Sequence, residues 1–198
     1  MMSLAPITIG MVGLLFALWA NGVQLLGVDA KPVTEDGPSP TASVAVAGSA
    51  MGAITLLFMS IWLVVAAPLG TDGEAPKLGL LFSAISGMYG LLWLGAAVIQ
   101  ARGWDMRPIG NLALLCLVLQ VIEMALLASY YGAAGIPTAH FAFIEIALGL
   151  YVLVLAGFWA VTHGRINARP VGLACLLAVV GTLYIMIYGG GLLAPPGA

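Results

Sequence analysis

Two carboxylates stand where an apolar chain tolerates them least. Glu123 lies in the run Ile109–Tyr131 and Glu145 in the run His140–Thr162, both among aliphatic residues. At 1.5 Å per helical residue, their positions in these runs put both very roughly 8–12 Å below the same surface of a bilayer. Charge at that depth is costly, so an ionisable group there marks a functional site by default. On adjacent helices the pair would face one another or one shared cavity, and bind protons or accept hydrogen bonds from a polar solute. The structural alternative is that one or both are protonated and bond a neighbouring helix or subunit. Gln120 is one turn from Glu123 and shares its face. Asn21 and Gln24 sit near the end of the first apolar run, and Gln100 at the matching end of the third. Amides both donate and accept, which suits a neutral solute carrying C=O and NH₂ groups and equally suits bonds between helices.

Aromatic residues recur at helical spacing. Phe82, Tyr89 and Trp93 share a face of the third run, Phe16 and Trp19 a face of the first, and Tyr151 and Phe158 a face of the fifth. Trp62, Trp104 and Trp159 fall near run ends, where indoles anchor to the membrane interface. Such stripes serve packing more often than a pore. The bias toward odd-numbered runs is nonetheless what a pore lined by three odd helices would need.

Other chemistry lacks its residues. No GxSxG, HExxH or phosphate-binding glycine loop occurs, so no catalytic residues are assigned and an enzyme is not expected. Cys116 and Cys175 lie inside apolar runs without a CxxC partner, where thiols act as small hydrophobes. His140 and His163 are near run ends with no second ligand at metal spacing, so neither a metal nor a cofactor is expected. His140 reads as an interfacial residue at a helix start and His163 as a loop residue.

These groups are carried by a chain of 198 residues that is 62% hydrophobic and 7% charged, with a mean hydropathy of +1.12. A soluble domain is about 25% charged. The net charge of −2 gives no electrostatic basis for binding nucleic acid. The expected class is an all-α integral membrane protein. Six runs approach the ~20 residues that a helix needs to cross hydrocarbon: Ile7–Leu26, Ala42–Ala67, Gly79–Gln100, Ile109–Tyr131, His140–Thr162 and Val171–Gly191. The first is read as a span rather than a cleaved signal, because Met1 to Pro6 carries no Lys or Arg. Only residues 33–41 and 68–78 read as loops of any length, so residues 1–198 form one six-helix membrane domain. The 26 glycines, spread through the runs, suit close helix packing or room for a permeation path.

A polar tetrad recurs between runs: Asp29-Ala-Lys31-Pro32, Asp105-Met-Arg107-Pro108 and Asn167-Ala-Arg169-Pro170, at intervals of 76 and 62 residues. Proline is favoured in the first turn of a helix, and the Asp or Asn before it can fold over that turn's N–H groups. A repeated connector implies one helical hairpin used three times, at about 7–67, 79–131 and 140–191, in a pseudo-threefold arrangement. Lys31, Arg102, Arg107, Arg165 and Arg169 lie in odd-numbered connectors, against Lys77 alone in an even one. The positive-inside rule then places the tetrads in the cytoplasm and both termini outside.

The segment Asn21-Gly22 followed by Val28-Asp29 and Lys31, and the block Gly95-Ala96-Ala97 through Gly103-Trp104-Asp105-Met106-Arg107-Pro108, resemble the acid-activated urea channel and short-chain amide transporter family (AmiS/UreI). The resemblance implies a bacterial inner-membrane homo-hexamer whose protomers each hold a channel for urea or small amides. Members often carry a tryptophan-rich fifth helix that narrows the pore. Here Leu148, Leu150 and Val152 flank Gly149 instead, and the histidine-rich outer loops of the acid-gated member are missing. The expected function is a passive channel for urea or short aliphatic amides, with membrane lipid as its surroundings. Its expected solute path runs along Phe16, Trp19, Asn21, Tyr89, Trp93, Glu123, Glu145, Leu148, Tyr151 and Val152. The alternatives are a proton-coupled small-molecule transporter using Glu123 and Glu145, and a structural membrane subunit.

Overall fold

A computed structural model describes residues 5–28, 30–32, 34, 37, 39–68, 70–73, 75–132, 136–189 and 191. Six helices are long and apolar enough to cross a membrane, and the described residues contain no strand. The chain is therefore an all-α, multi-pass membrane protein. We label the helices α1 (Ala5–Leu25), α2 (Pro40–Ala66), α3 (Ala75–Arg102), α4 (Arg107–Tyr130), α5 (Thr138–Thr162) and α6 (Ala168–Gly189). The loops read at 33–41 and 68–78 are shorter than expected. Pro40 opens α2, and Ala75-Pro76 begins α3 well before Gly79, because proline is pre-set for a first helical turn.

Each helix packs on its neighbours in the chain, and α1 packs on α6, so the six close into a ring. With α2 taken whole, the most extensive contacts join it to α3 and to α1, and the contact of α1 with α6 comes next. The first and last of these cross the boundaries of the expected hairpins, while α1 on α2 lies within one, and α3 packs less on α4, its expected hairpin partner, than on α2. Small residues let these backbones approach, since in lipid the drive for association is packing rather than apolar burial. A Cβ on Gly172 would stand 2.7 Å from Gly22 O, and one on Gly52 3.1 Å from Gly13 O. Ser60 and Ser83 stitch α2 to α3, each hydroxyl donating to the other's carbonyl at 2.8 Å.

The odd helices end alike. After α1, α3 and α5 come Gly27, Gly103 and Gly164, with φ of 91°, 64° and 66°. The next residue's N–H turns back five residues: Val28 to Val23 O, Trp104 to Ile99 O and Arg165 to Ala160 O. Each is a glycine-closed helix end that satisfies carbonyls the helix itself cannot. The tetrad then differs by copy. Asp105 Oδ1 accepts from Arg107 N at 2.9 Å, and Asn167 Oδ1 from Arg169 N at 3.0 Å, starting α4 and α6 at once. The Arg107 side chain also bonds Asp105, which holds this exposed carboxyl below its ordinary pKa. Pro32 starts no helix, and it is Pro40 that begins α2; Asp29 lies outside the described residues.

Candidate functional site

Inside the ring is a narrow cavity of about 20 Å³, room for about one water molecule. Its wall comes from α1, α3 and α5 alone: Leu14 and Leu18; Tyr89, Leu92, Trp93 and Ala96; Tyr151, Val154, Leu155 and Phe158. The helical periodicity of each odd helix sets this. Among the buried residues of α1, Ile7, Met11, Leu14 and Leu18 form one stripe at spacings of four, three and four.

Two aromatic layers close the cavity between α3 and α5. Tyr89 meets Tyr151 edge-on with ring centroids 5.9 Å apart, and Trp93 meets Phe158 likewise at 6.1 Å. The hydroxyls of the two tyrosines are drawn sideways into the even helices. Tyr89 donates to Gln120 Oε1 on α4 at 2.8 Å, and Tyr151 lies 2.6 Å from Thr182 Oγ1 on α6. The cavity thus presents ring faces, ring edges and aliphatic side chains, while its two tyrosine hydroxyls are committed to the wall behind.

Several buried polar atoms have no hydrogen-bond partner among the described residues. They are Trp93 Nε1, Gln120 Nε2, Glu123 Oε2, His140 Nε2 and Glu145 Oε1. Gln120 and Glu123 belong to the buried stripe of α4, with Ala113, Cys116 and Leu127. Glu123 stands seven positions before Tyr130 and Glu145 seven positions after Thr138, so the two carboxyls sit equally far inside their helices. Among the described residues no hydrogen bond joins them, and neither lines the cavity.

At the end of the ring that holds the tetrads, the amides form a closed clamp. Asn21 Nδ2 donates to Ser49 Oγ at 3.1 Å, Ser49 Oγ to Gln100 Oε1 at 2.7 Å, and Gln100 Nε2 to Asn21 Oδ1 at 2.7 Å. Ser49 reaches this position from a π-helical turn, Ala45–Ala50, within α2. Gln24 is likewise occupied, donating to Thr41 Oγ1 at 2.8 Å.

The expected path is therefore brought together in part. Tyr89, Trp93 and Tyr151 line the cavity. Phe16 and Trp19 do not; they are 57% and 58% exposed on the outside of α1, because the inward stripe uses Leu14 and Leu18. Asn21 is held in the clamp, where its amide already has protein partners. Leu148 is buried in the core without lining the cavity, and Val152 and Glu145 are half-buried, two turns apart on one face of α5. Leu14, Leu18, Leu92, Ala96, Val154 and Leu155 escaped sequence reasoning, since nothing distinguishes an aliphatic lumen residue from a core one. Thr182 was also missed, although a Thr in an apolar run is a signal that was there to use. His140 is buried beneath Tyr188, ring centroids 4.3 Å apart, with its Nδ1 bonded to the Tyr184 hydroxyl. His163 Nδ1 lies 2.8 Å from Trp159 O.

No family model matches this chain, and comparison with curated proteins and with solved structures gives no match.

Proposed function

We propose that this protein is a passive channel for urea or short aliphatic amides in a bacterial inner membrane, with both termini outside and the tetrads in the cytoplasm. The observation that carries the reading is the narrow, aromatic-walled lumen formed by three alternate helices of a closed ring. A wall of this kind offers an ion nothing in exchange for its hydration shell, and the cost of stripping a charge is many kcal/mol. A small neutral solute loses far less. Planar amides can slide between ring faces, with the Tyr89 and Tyr151 hydroxyls turning from Gln120 and Thr182 to meet them. Outward motion of the Tyr89–Tyr151 and Trp93–Phe158 pairs would open the passage. The likeness of the first and third connectors to the urea and amide channel family supports the solute class, and with it assembly as a homo-hexamer.

Stopped-flow swelling of proteoliposomes tests it. Urea and acetamide should enter faster than into empty liposomes, without a proton gradient and without ion conductance. Flux that requires a gradient would instead favour a proton-coupled transporter, the reading suggested by the unpartnered Glu123 and Glu145 oxygens. Orientation is read separately: a cysteine at Asp72 should react with an impermeant outside thiol reagent, and one at Arg165 should not.

A further inference from the structure

The unpartnered groups of α4 form a complementary pair. Gln120 is fully buried and Glu123 is 8% exposed, one helical turn apart on the same stripe. Because the Tyr89 hydroxyl donates to Gln120 Oε1, the amide is oriented, and its Nε2 is left as a donor with no acceptor. Glu123 Oε2 is left as an acceptor with no donor. Tyr89 connects this pair to the lumen, its ring on the cavity wall and its hydroxyl on Gln120.

We infer that Gln120 Nε2 and Glu123 Oε2 form the recognition site for the primary amide group of the permeating solute. This rests on the channel reading above and names the residues that would select among its solutes. A primary amide carries an acceptor and a donor on adjacent atoms of one plane. Its carbonyl oxygen accepts from Gln120 Nε2, and its N–H donates to Glu123 Oε2. Both orphaned atoms are then satisfied together, which the described residues of the protein do not do. Tyr89 swings aside to admit the solute and re-forms its bond to Gln120 when the solute leaves. Leaving a buried donor or acceptor empty is costly, so a site of this kind rejects solutes that fill only half of it.

The test compares acetamide with ethylene glycol, a solute of similar size without an amide, by stopped-flow swelling of proteoliposomes holding the full chain. The wild type should carry acetamide about tenfold faster than ethylene glycol, the scale of one hydrogen bond. Gln120→Leu and Glu123→Leu should bring the two rates together by slowing acetamide alone. Glu123→Gln keeps an oxygen acceptor in nearly the same volume and should keep the preference. A wild type that does not distinguish the two solutes overturns the recognition site while leaving the channel standing. So does a Leu variant that keeps the wild-type ratio, or one that slows both solutes in proportion, as a merely structural residue would. A wild type that passes neither solute faster than empty liposomes removes the channel reading and this site with it.

Discussion

Thr182 Oγ1 donates to Ala178 O at 2.7 Å, so the 2.6 Å contact with Tyr151 must be a bond that Tyr151 donates. The two lumen tyrosines are thereby unequal. Tyr151→Phe leaves Thr182 with its own bond intact and removes one acceptor contact. Tyr89→Phe leaves Gln120 with both ends of its amide unpartnered. Tyr89→Phe should cost about 1–3 kcal/mol and Tyr151→Phe less than about 1 kcal/mol. Unfolding in mild detergent measures both, and equal losses would contradict the bonding described.

The Trp93–Phe158 layer should set the size limit. Phe158→Ala removes one ring of an edge-on pair from the lumen wall. Glycerol flux should rise severalfold and the preference for small amides should fall, with a stability loss of about 3–5 kcal/mol if the site does not collapse. An unchanged size cut-off would place the limiting constriction elsewhere.

Glycines of α5 and α6 should respond oppositely to alanine. A Cβ at Gly172 stands 2.7 Å from the Gly22 carbonyl oxygen, a backbone atom that cannot rotate away. A Cβ at Gly149 meets nothing within 4 Å. Gly172→Ala should destabilise by about 1–3 kcal/mol through overpacking, whereas Gly149→Ala should be neutral or stabilising by up to about 1 kcal/mol.

The amide clamp should matter for stability rather than for flux. Asn21→Ala strips partners from both Ser49 and Gln100, at about 1–2 kcal/mol as judged from interhelical hydrogen bonds in membranes. Acetamide flux per folded protein should stay within about twofold of wild type, one hydrogen bond being worth nearer tenfold. A large fall in flux with unchanged stability would return Asn21 to the solute path.

Composition and run length made the six spans legible, because crossing hydrocarbon imposes a length and an apolarity that few residues can hide. The cavity wall of odd helices was also legible in outline, through the aromatic bias at Tyr89, Trp93 and Tyr151. Phe16 and Trp19 misled because spacing fixes which residues share a face but not which way that face turns. The tetrads drew attention to Asp105 and Asn167, yet the feature common to all three odd-helix ends is the glycine before them, Gly27, Gly103 and Gly164. That glycine escaped notice among 26 because only its positive φ distinguishes it. The ring closure of α1 on α6 joins the first helix to the last, and no local pattern announces a contact of that range.

The π-helical turn at Ala45–Ala50 has a bearing on chain length. A π turn holds one residue more than the α-helical turn it replaces, and each residue rotates a helix by about 100°. Two distant fastenings of α2 flank this turn: Thr41 with Gln24 before it, and Ser60 with Ser83 after it. The surplus residue brings both onto their partners at once. Deleting one residue from Ala45–Ala50 would restore an ordinary helix while turning Thr41 by about 100° relative to Ser60, so that only one of the two keeps its partner. The irregularity therefore works as a spacer, and α2 is a helix whose residue count, more than its composition, is under constraint.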